Sequence, residues 1–180
     1  NEEVGSNTKQ GAMSTFLHDV LTRINSALGK DADAYYQAVS KSFLVSCDNA
    51  HALHPNHAEK TDTVNFVTMN GGIVIKESAN QKYTTDAFSR ALFTGVCQNV
   101  NVPVQSFANR SDVVGGSTLG NLSNTQVSVH AVDFGLAQLA MHSCFETAGV
   151  KDTEYAIIAL KEFYETNLQI EEAESICLEK

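Results

Sequence analysis

Short apolar runs alternate along this chain with longer stretches whose apolar residues return at helical spacing. The runs fall at 42–46, 72–76, 102–108 and 127–134; their brevity and β-branched content read as strands. Between them, 11–28 carries Phe16, Leu17, Val20, Leu21 and Ile24 on one helical face, with Gly29 as a C-cap. A second helix is expected over 31–40, capped by Asp31 or Asp33. A third is expected over 85–100, with Phe88, Ala91, Leu92 and Val96 on one face, and a long one over 152–168. Strands alternating with helices demand an α/β fold, a sheet with helices packed on its faces. Residues 115–120 form a glycine-rich turn, with a short helical stretch near Leu122. No internal repeat or linker divides the chain, so 1–180 is read as one unit.

Composition narrows the function. Of the 180 residues, 43% are hydrophobic and 18% charged, which suits a packed core. A formal net charge of -9 argues against nucleic acid, whose phosphates need a basic face. No apolar run reaches membrane-spanning length, and no signal-peptide pattern precedes the first helix. Cys47, Cys97, Cys144 and Cys177 match no zinc-finger spacing; they are read as reduced, mostly buried thiols of a cytoplasmic protein. The acidic tail with Glu171, Glu172, Glu174 and Glu179 is read as a solvated helix face. The opening Asn-Glu-Glu-Val-Gly-Ser has no initiator Met and reads as a cut inside a longer polypeptide.

Several residues suit chemistry. Glu2 and Glu3 are adjacent before a glycine turn, where one carboxylate can bind a metal and the other act as a base; surface Glu pairs are also common. Asp48 follows a buried strand, where α/β folds place functional groups, and His51 and His54 come soon after it. A carboxylate with imidazoles suits zinc; the rival is a polar loop whose Asp caps a turn. His142, among apolar neighbours, reads by itself as a structural histidine. The 115–120 turn lacks phosphate-loop spacing; its backbone N–H groups suit a substrate carboxylate or an oxyanion.

Taken together, these segments resemble the aspartyl aminopeptidase family, peptidase family M18. The opening Glu2-Glu3-Val4-Gly5-Ser6 followed by Gly11-Ala12 is similar to a block of that family. So are 46–56 (Ser-Cys-Asp-Asn-Ala-His-Ala-Leu-His-Pro-Asn), Ile75-Lys76 with 80–83 (Asn-Gln-Lys-Tyr), 102–105, 116–120 and 139–143, all in the family's order. The resemblance spans almost the whole chain. It implies the C-terminal part of a zinc-exopeptidase-like (phosphorylase/hydrolase-like) catalytic domain. It also implies two zinc ions and release of Asp or Glu from peptide N-termini, in a parent that forms homo-oligomers. Carried over, Glu2 is the general base, Glu3 and His142 bind one zinc, and Asp48 binds the other. His51 contacts substrate, and Lys76 pairs with the acidic side chain, where a cation leaves neutral side chains without a partner. His54, Tyr83 and Gly116 are further substrate-binding candidates.

The family's upstream zinc-binding His and metal-bridging Asp have no counterpart within 1–180. The resemblance therefore implies that this polypeptide by itself is inactive. Lys82 stands where the family has Arg, and Phe145 where it tends to have Arg. The rivals to a peptidase of acidic N-termini are a relative that kept the fold without catalysis and a related peptidase of different specificity.

Overall fold

The computed structural model describes residues 6–172 and 175–179. The first helix, α1, covers Phe16–Ala27, shorter than the 11–28 expected. Residues 8–14 form turns instead, with Gly11 N–H donating to the Thr8 carbonyl and Ser14 N–H to the Gly11 carbonyl. Helix α2, Ala32–Ser40, begins at Asp31, whose carboxylate accepts the Ala34 N–H at 2.9 Å. The apolar face of α1 stays in solvent, with Phe16, Ile24 and Leu28 exposed.

Strands β1 (Phe43–Cys47), β3 (Ile73–Lys76), β4 (Val104–Phe107) and β5 (His130–Gly135) form one sheet in the order β1-β5-β3-β4. β1 runs parallel to β5 and β3 to β4, while β3 and β5 are antiparallel. A second, small sheet joins β2 (Ala50–His51), β6 (Ala137–Leu139) and β7 (Thr147–Ala148). The remaining helices are α3 (Ala87–Asn99), α4 (Leu119–Ser123) and α5 (Val150–Glu165). This is the α/β architecture expected, a sheet flanked by helices.

Strand periodicity sorts the side chains between two cores. Ile73 and Ile75 of β3, with Val132 and Phe134 of β5, face α3 and α5 and pack on Phe93, Cys97 and Ala159. Val74 points to the opposite face, where it joins Ala50, Val67, Tyr83, Phe107 and Ala137 under the small sheet. By the same alternation Lys76 and Asp133 belong to that second face, away from α3 and α5. Gly72, at φ 110°, has no room for a side chain: a Cβ would lie 2.2 Å from the Pro103 carbonyl oxygen.

Two expectations are corrected. The acidic tail is not a helix: β8 (Asn167–Glu172) and β9 (Ser175–Glu179) form an antiparallel hairpin, registering Leu168 with Leu178 and Ile170 with Ile176. Its apolar residues alternate with period two, which suits a strand, and that alternation outweighs the run of charge. The cysteines are not mostly buried: Cys97 is, but Cys47, Cys144 and Cys177 are exposed, and all four are free thiols.

Candidate active site

Lys76 ends β3 as a buried cation, 4% exposed. Its Nζ donates to the Asn49 carbonyl at 2.9 Å and lies 3.4 Å from both the carbonyl and Oδ1 of Asp48. It also stands 4.7 Å above the centroid of the Tyr83 ring, a cation–π contact. Burial pulls its pKa below the ordinary lysine value, with Asp48 and Asp133 opposing that pull.

Asp48 and Asn49 sit where the chain leaves β1 for β2. Backbone pairing continues across this step: Asp48 N–H donates to the Phe134 carbonyl at 2.8 Å and Ala50 N–H to the Leu136 carbonyl at 2.9 Å. The Asn49 side chain fixes the bend, accepting from Leu136 N–H at 3.0 Å and donating to Gln138 Oε1 at 2.5 Å. The Asp48 carboxylate is thereby held at a strand end, beside Lys76.

Lys76 and Tyr83 line a cavity of about 180 Å³ together with His51, His142, Asn109 and the segment 113–117. Tyr83 is buried and its hydroxyl accepts from Asn109 Nδ2 at 2.8 Å. Burial raises the Tyr83 pKa, so the phenol stays neutral. Gly115 allows this arrangement, because a Cβ there would lie 2.4 Å from Asn109 Nδ2. Gly116, also in the lining, has open space around it, so its place in the cavity does not require glycine.

Asp133 is fully buried, within electrostatic reach of Lys76 and Tyr83. Its Oδ2 accepts the Thr84 N–H at 2.5 Å and the Thr118 hydroxyl at 2.8 Å, while its own N–H donates to Thr85 Oγ1 at 2.9 Å. One carboxylate thus joins the segment carrying Tyr83 to the glycine-rich turn. Burial pushes its pKa up, and the hydrogen bonds it accepts and the charge of Lys76 push back.

His142 sits in the connection between β6 and β7, which pair Leu139 with Thr147. It adopts φ 65°, and Ala140 φ 56°. This left-handed backbone is uncommon for residues with a Cβ and clusters at functional sites. The His142 N–H donates to Glu146 Oε1 at 2.6 Å, which supports the turn. His51 lies within electrostatic reach of both Asp48 and His142; burial and the charge of Lys76 hold its pKa below the usual histidine value.

The structure therefore gathers His51, Lys76, Tyr83, Gly116 and His142 around one cavity, with Asp48 beside Lys76 and next to the lining residue Asn49. His54 does not join them. It lies in a neighbouring cavity, its Nδ1 accepting from Asn56 N–H at 3.1 Å and its ring 5.0 Å from that of His57. Glu2 and Glu3 lie outside the described residues. Sequence reasoning passed over Asn109 and Asp133. A lone carboxylate inside the apolar run Val132-Asp133-Phe134 was a usable signal, because a buried charge needs partners. Asn109 gave none.

Comparison with known proteins agrees with this geometry. The family model described as aminopeptidase I zinc metalloprotease (M18) matches residues 1–164. The chain belongs to the M18 peptidase family. A probable M18 family aminopeptidase 2 of Clostridium novyi is 49% identical over 164 residues, covering 91% of this chain and 38% of that protein. Aspartyl aminopeptidase 1 of Schizosaccharomyces pombe is 43% identical over 172 residues, covering 96% of this chain and 36% of that protein. Among solved structures, a chain of the Ape4 and Nbr1 complex superposes with a TM-score of 0.87 at 44% identity, over 91% of this chain and 31% of that one. The mApe1 dodecamer of S. cerevisiae gives 0.80 at 30% identity, over 92% and 36%. The chain thus spans about a third of the length of these M18 relatives.

Zinc takes imidazole nitrogen and carboxylate oxygen, and His142 and Asp48 offer one of each beside the same cavity. Among the described residues no three His, Cys, Asp or Glu side chains gather closely enough to hold a metal ion. His142 and Asp48 therefore fit zinc in donor chemistry, without forming a complete ligand set among the described residues.

Proposed function

We propose that this chain is the C-terminal portion, residues 1–180, of the catalytic domain of an M18 metallo-aminopeptidase that releases Asp or Glu from peptide N-termini. The observation that supports the reading most is Lys76: a buried ammonium facing a small cavity beside a strand-end carboxylate. A cation in such a site rewards an anionic side chain through a charge-assisted hydrogen bond. A neutral side chain forgoes that bond, and the asymmetry favours acidic N-termini. The Tyr83 ring covers one side of the ammonium, and the Asn49 carbonyl orients it. These contacts aim the cation before substrate arrives.

Asp48 and His142 are assigned as zinc ligands, each to a different ion of a two-zinc site, with Glu3 joining His142. Glu2 is assigned as the general base that takes the proton of the attacking water at its carboxylate. Bound zinc supplies a water of lowered pKa and a charge that polarises the scissile carbonyl. His51, held largely neutral by burial and by Lys76, can accept or donate a hydrogen bond to the substrate. Residues 115–117 line the same cavity, and backbone N–H groups of this turn would suit the carbonyl oxygen or terminal groups of the peptide.

The full-length protein is proposed to act in the cytoplasm as a homo-oligomer; an M18 relative is a dodecamer, and exposed apolar residues on α1 here suit burial in a larger body. Among the described residues no helix is long and apolar enough to cross a membrane. The test is release of Asp from a short peptide by the full-length protein with added zinc. Turnover that favours Asp and Glu over Ala supports the assignment. No turnover by a folded, zinc-loaded protein points to a relative that kept the fold without catalysis, and equal turnover of neutral N-termini points to a peptidase of other specificity.

A further inference from the structure

An aminopeptidase that removes one residue leaves the rest of its substrate on the C-terminal side of the scissile bond. A cavity beside the pocket for the N-terminal residue is therefore placed to receive the substrate's second and later residues. Such a cavity exists. It measures about 320 Å³ and shares His51, Phe107, Asn109 and Val113 with the Lys76 cavity.

Its walls have a definite chemistry. The imidazoles of His51, His54 and His57 meet Phe107, Val113 and Leu139, so most of the lining is ring or apolar carbon. Most of the charged groups at the edge are already committed within the protein. Arg110 is held by both carboxylate oxygens of Asp112, at 2.9 and 2.6 Å, and also bonds the Glu59 carbonyl. Asp62 accepts the backbone N–H groups of Val64 at 2.9 Å and Asn65 at 2.7 Å. His57 lies 3.2 Å from Glu59. Lys60, in an exposed 3-10 turn, is the exception, and its charge is screened by solvent. Charges satisfied in this way discriminate weakly, whereas apolar walls of fixed shape discriminate by size.

We propose that this cavity is the subsite for the substrate's second residue, and that it prefers a bulky aliphatic or aromatic side chain over a small or acidic one. The proposal rests on the aminopeptidase reading above. It makes His51 the partition between two subsites: acidic selection by Lys76 on one side, apolar selection on the other. It also gives His54 a role that its distance from the Lys76 cavity otherwise denies it.

The test uses the full-length, zinc-loaded protein and peptides Asp-Xaa-Gly with Xaa as Gly, Ala, Leu, Phe or Asp. The expected result is a kcat/KM for Leu and Phe on the order of tenfold or more above Gly, with Asp near Gly. Two variants report on the cavity itself. Ala108→Phe fills it and should collapse the Phe-to-Gly ratio towards one. His57→Ala, at an exposed position that the fold tolerates, should lower that ratio by removing one wall. Calorimetric titration of a Glu2→Gln form with the same peptides gives a readout without turnover and should rank affinities in the same order. If Asp is released equally from all five peptides, the subsite is overturned while the peptidase reading stands. Ratios unchanged in both variants overturn it as well. No release and no binding by the folded protein overturn both.

Discussion

The ammonium of Lys76 stands 3.4 Å from Oδ1 of Asp48, so the cation proposed to hold the substrate side chain touches the carboxylate proposed to hold zinc. On that proposal, selection and catalysis draw on the ends of β1 and β3, which flank β5 in the sheet. Lys76→Ala should lower kcat/KM for Asp N-termini by about 10- to 100-fold, the loss expected for one charge-assisted hydrogen bond. Cleavage of Ala N-termini, which do not use the ammonium, should fall much less. The measurement is the Asp-to-Ala ratio of kcat/KM in the full-length protein; a ratio unchanged by the substitution would reject Lys76 as the selecting residue.

Asp133 leads to a prediction about stability. Its carboxylate accepts two hydrogen bonds while fully buried, and burial raises its pKa above the usual carboxylate value. A raised folded-state pKa means that this group's stabilising contribution is complete below the unfolded pKa and declines as pH rises through the folded one. Asp133→Asn keeps an acceptor oxygen without the buried charge. Its stability relative to wild type should improve as pH rises from about 4 to 7. Asp133→Ala strands the Thr84 N–H and the Thr118 hydroxyl, at a cost of about 1–3 kcal/mol. Thermal unfolding of the three proteins across that pH range checks both statements.

Much of this arrangement was legible in the sequence. The apolar runs at 72–76 and 102–108 became β3 and β4, and the motif around Asp48 fell at the strand end where it was expected. Local pattern carries such elements because strand and helix periods are local. The strands of the tail are obscured in the sequence by its run of charge, which hides the alternation of Leu168, Ile170, Ile176 and Leu178. The separation of His54 from the Lys76 cavity was not legible at all. His51 and His54 are three residues apart and both line the larger cavity, but only His51 also reaches the Lys76 cavity, and nothing in their spacing encodes that. Asn109 acquires its role only through a contact with Tyr83 across 26 positions of sequence.

The cysteines should differ sharply in reactivity. Burial pushes Cys97 up to about 12, so almost none of it is thiolate at pH 8. Cys144 lies exposed in the connection that carries His142. Brief alkylation of the folded protein at pH 8, read by mass spectrometry, should label Cys144 and leave Cys97 unmodified until denaturant is added. Early labelling of Cys97 would mean that the core between the sheet and α3 opens readily.

The two glycines of the turn beside Tyr83 should behave oppositely. A Cβ on Gly115 would fall 2.4 Å from Asn109 Nδ2, while one on Gly116 would meet nothing within 4 Å. Asn109 donates to the Tyr83 hydroxyl at 2.8 Å, and the Tyr83 ring lies under Lys76. Gly115→Ala should therefore displace Asn109, release the hydroxyl of Tyr83 and loosen the wall that orients the ammonium. A misplacement of this size costs on the order of 10-fold or more in kcat/KM when the group positions substrate. Gly116→Ala should remain close to wild type. Assaying both variants on an Asp N-terminal peptide separates backbone need from sequence resemblance: equal losses at 115 and 116 would mean that the turn acts through its own flexibility, and no loss at either would remove Asn109 and Tyr83 from the substrate pocket.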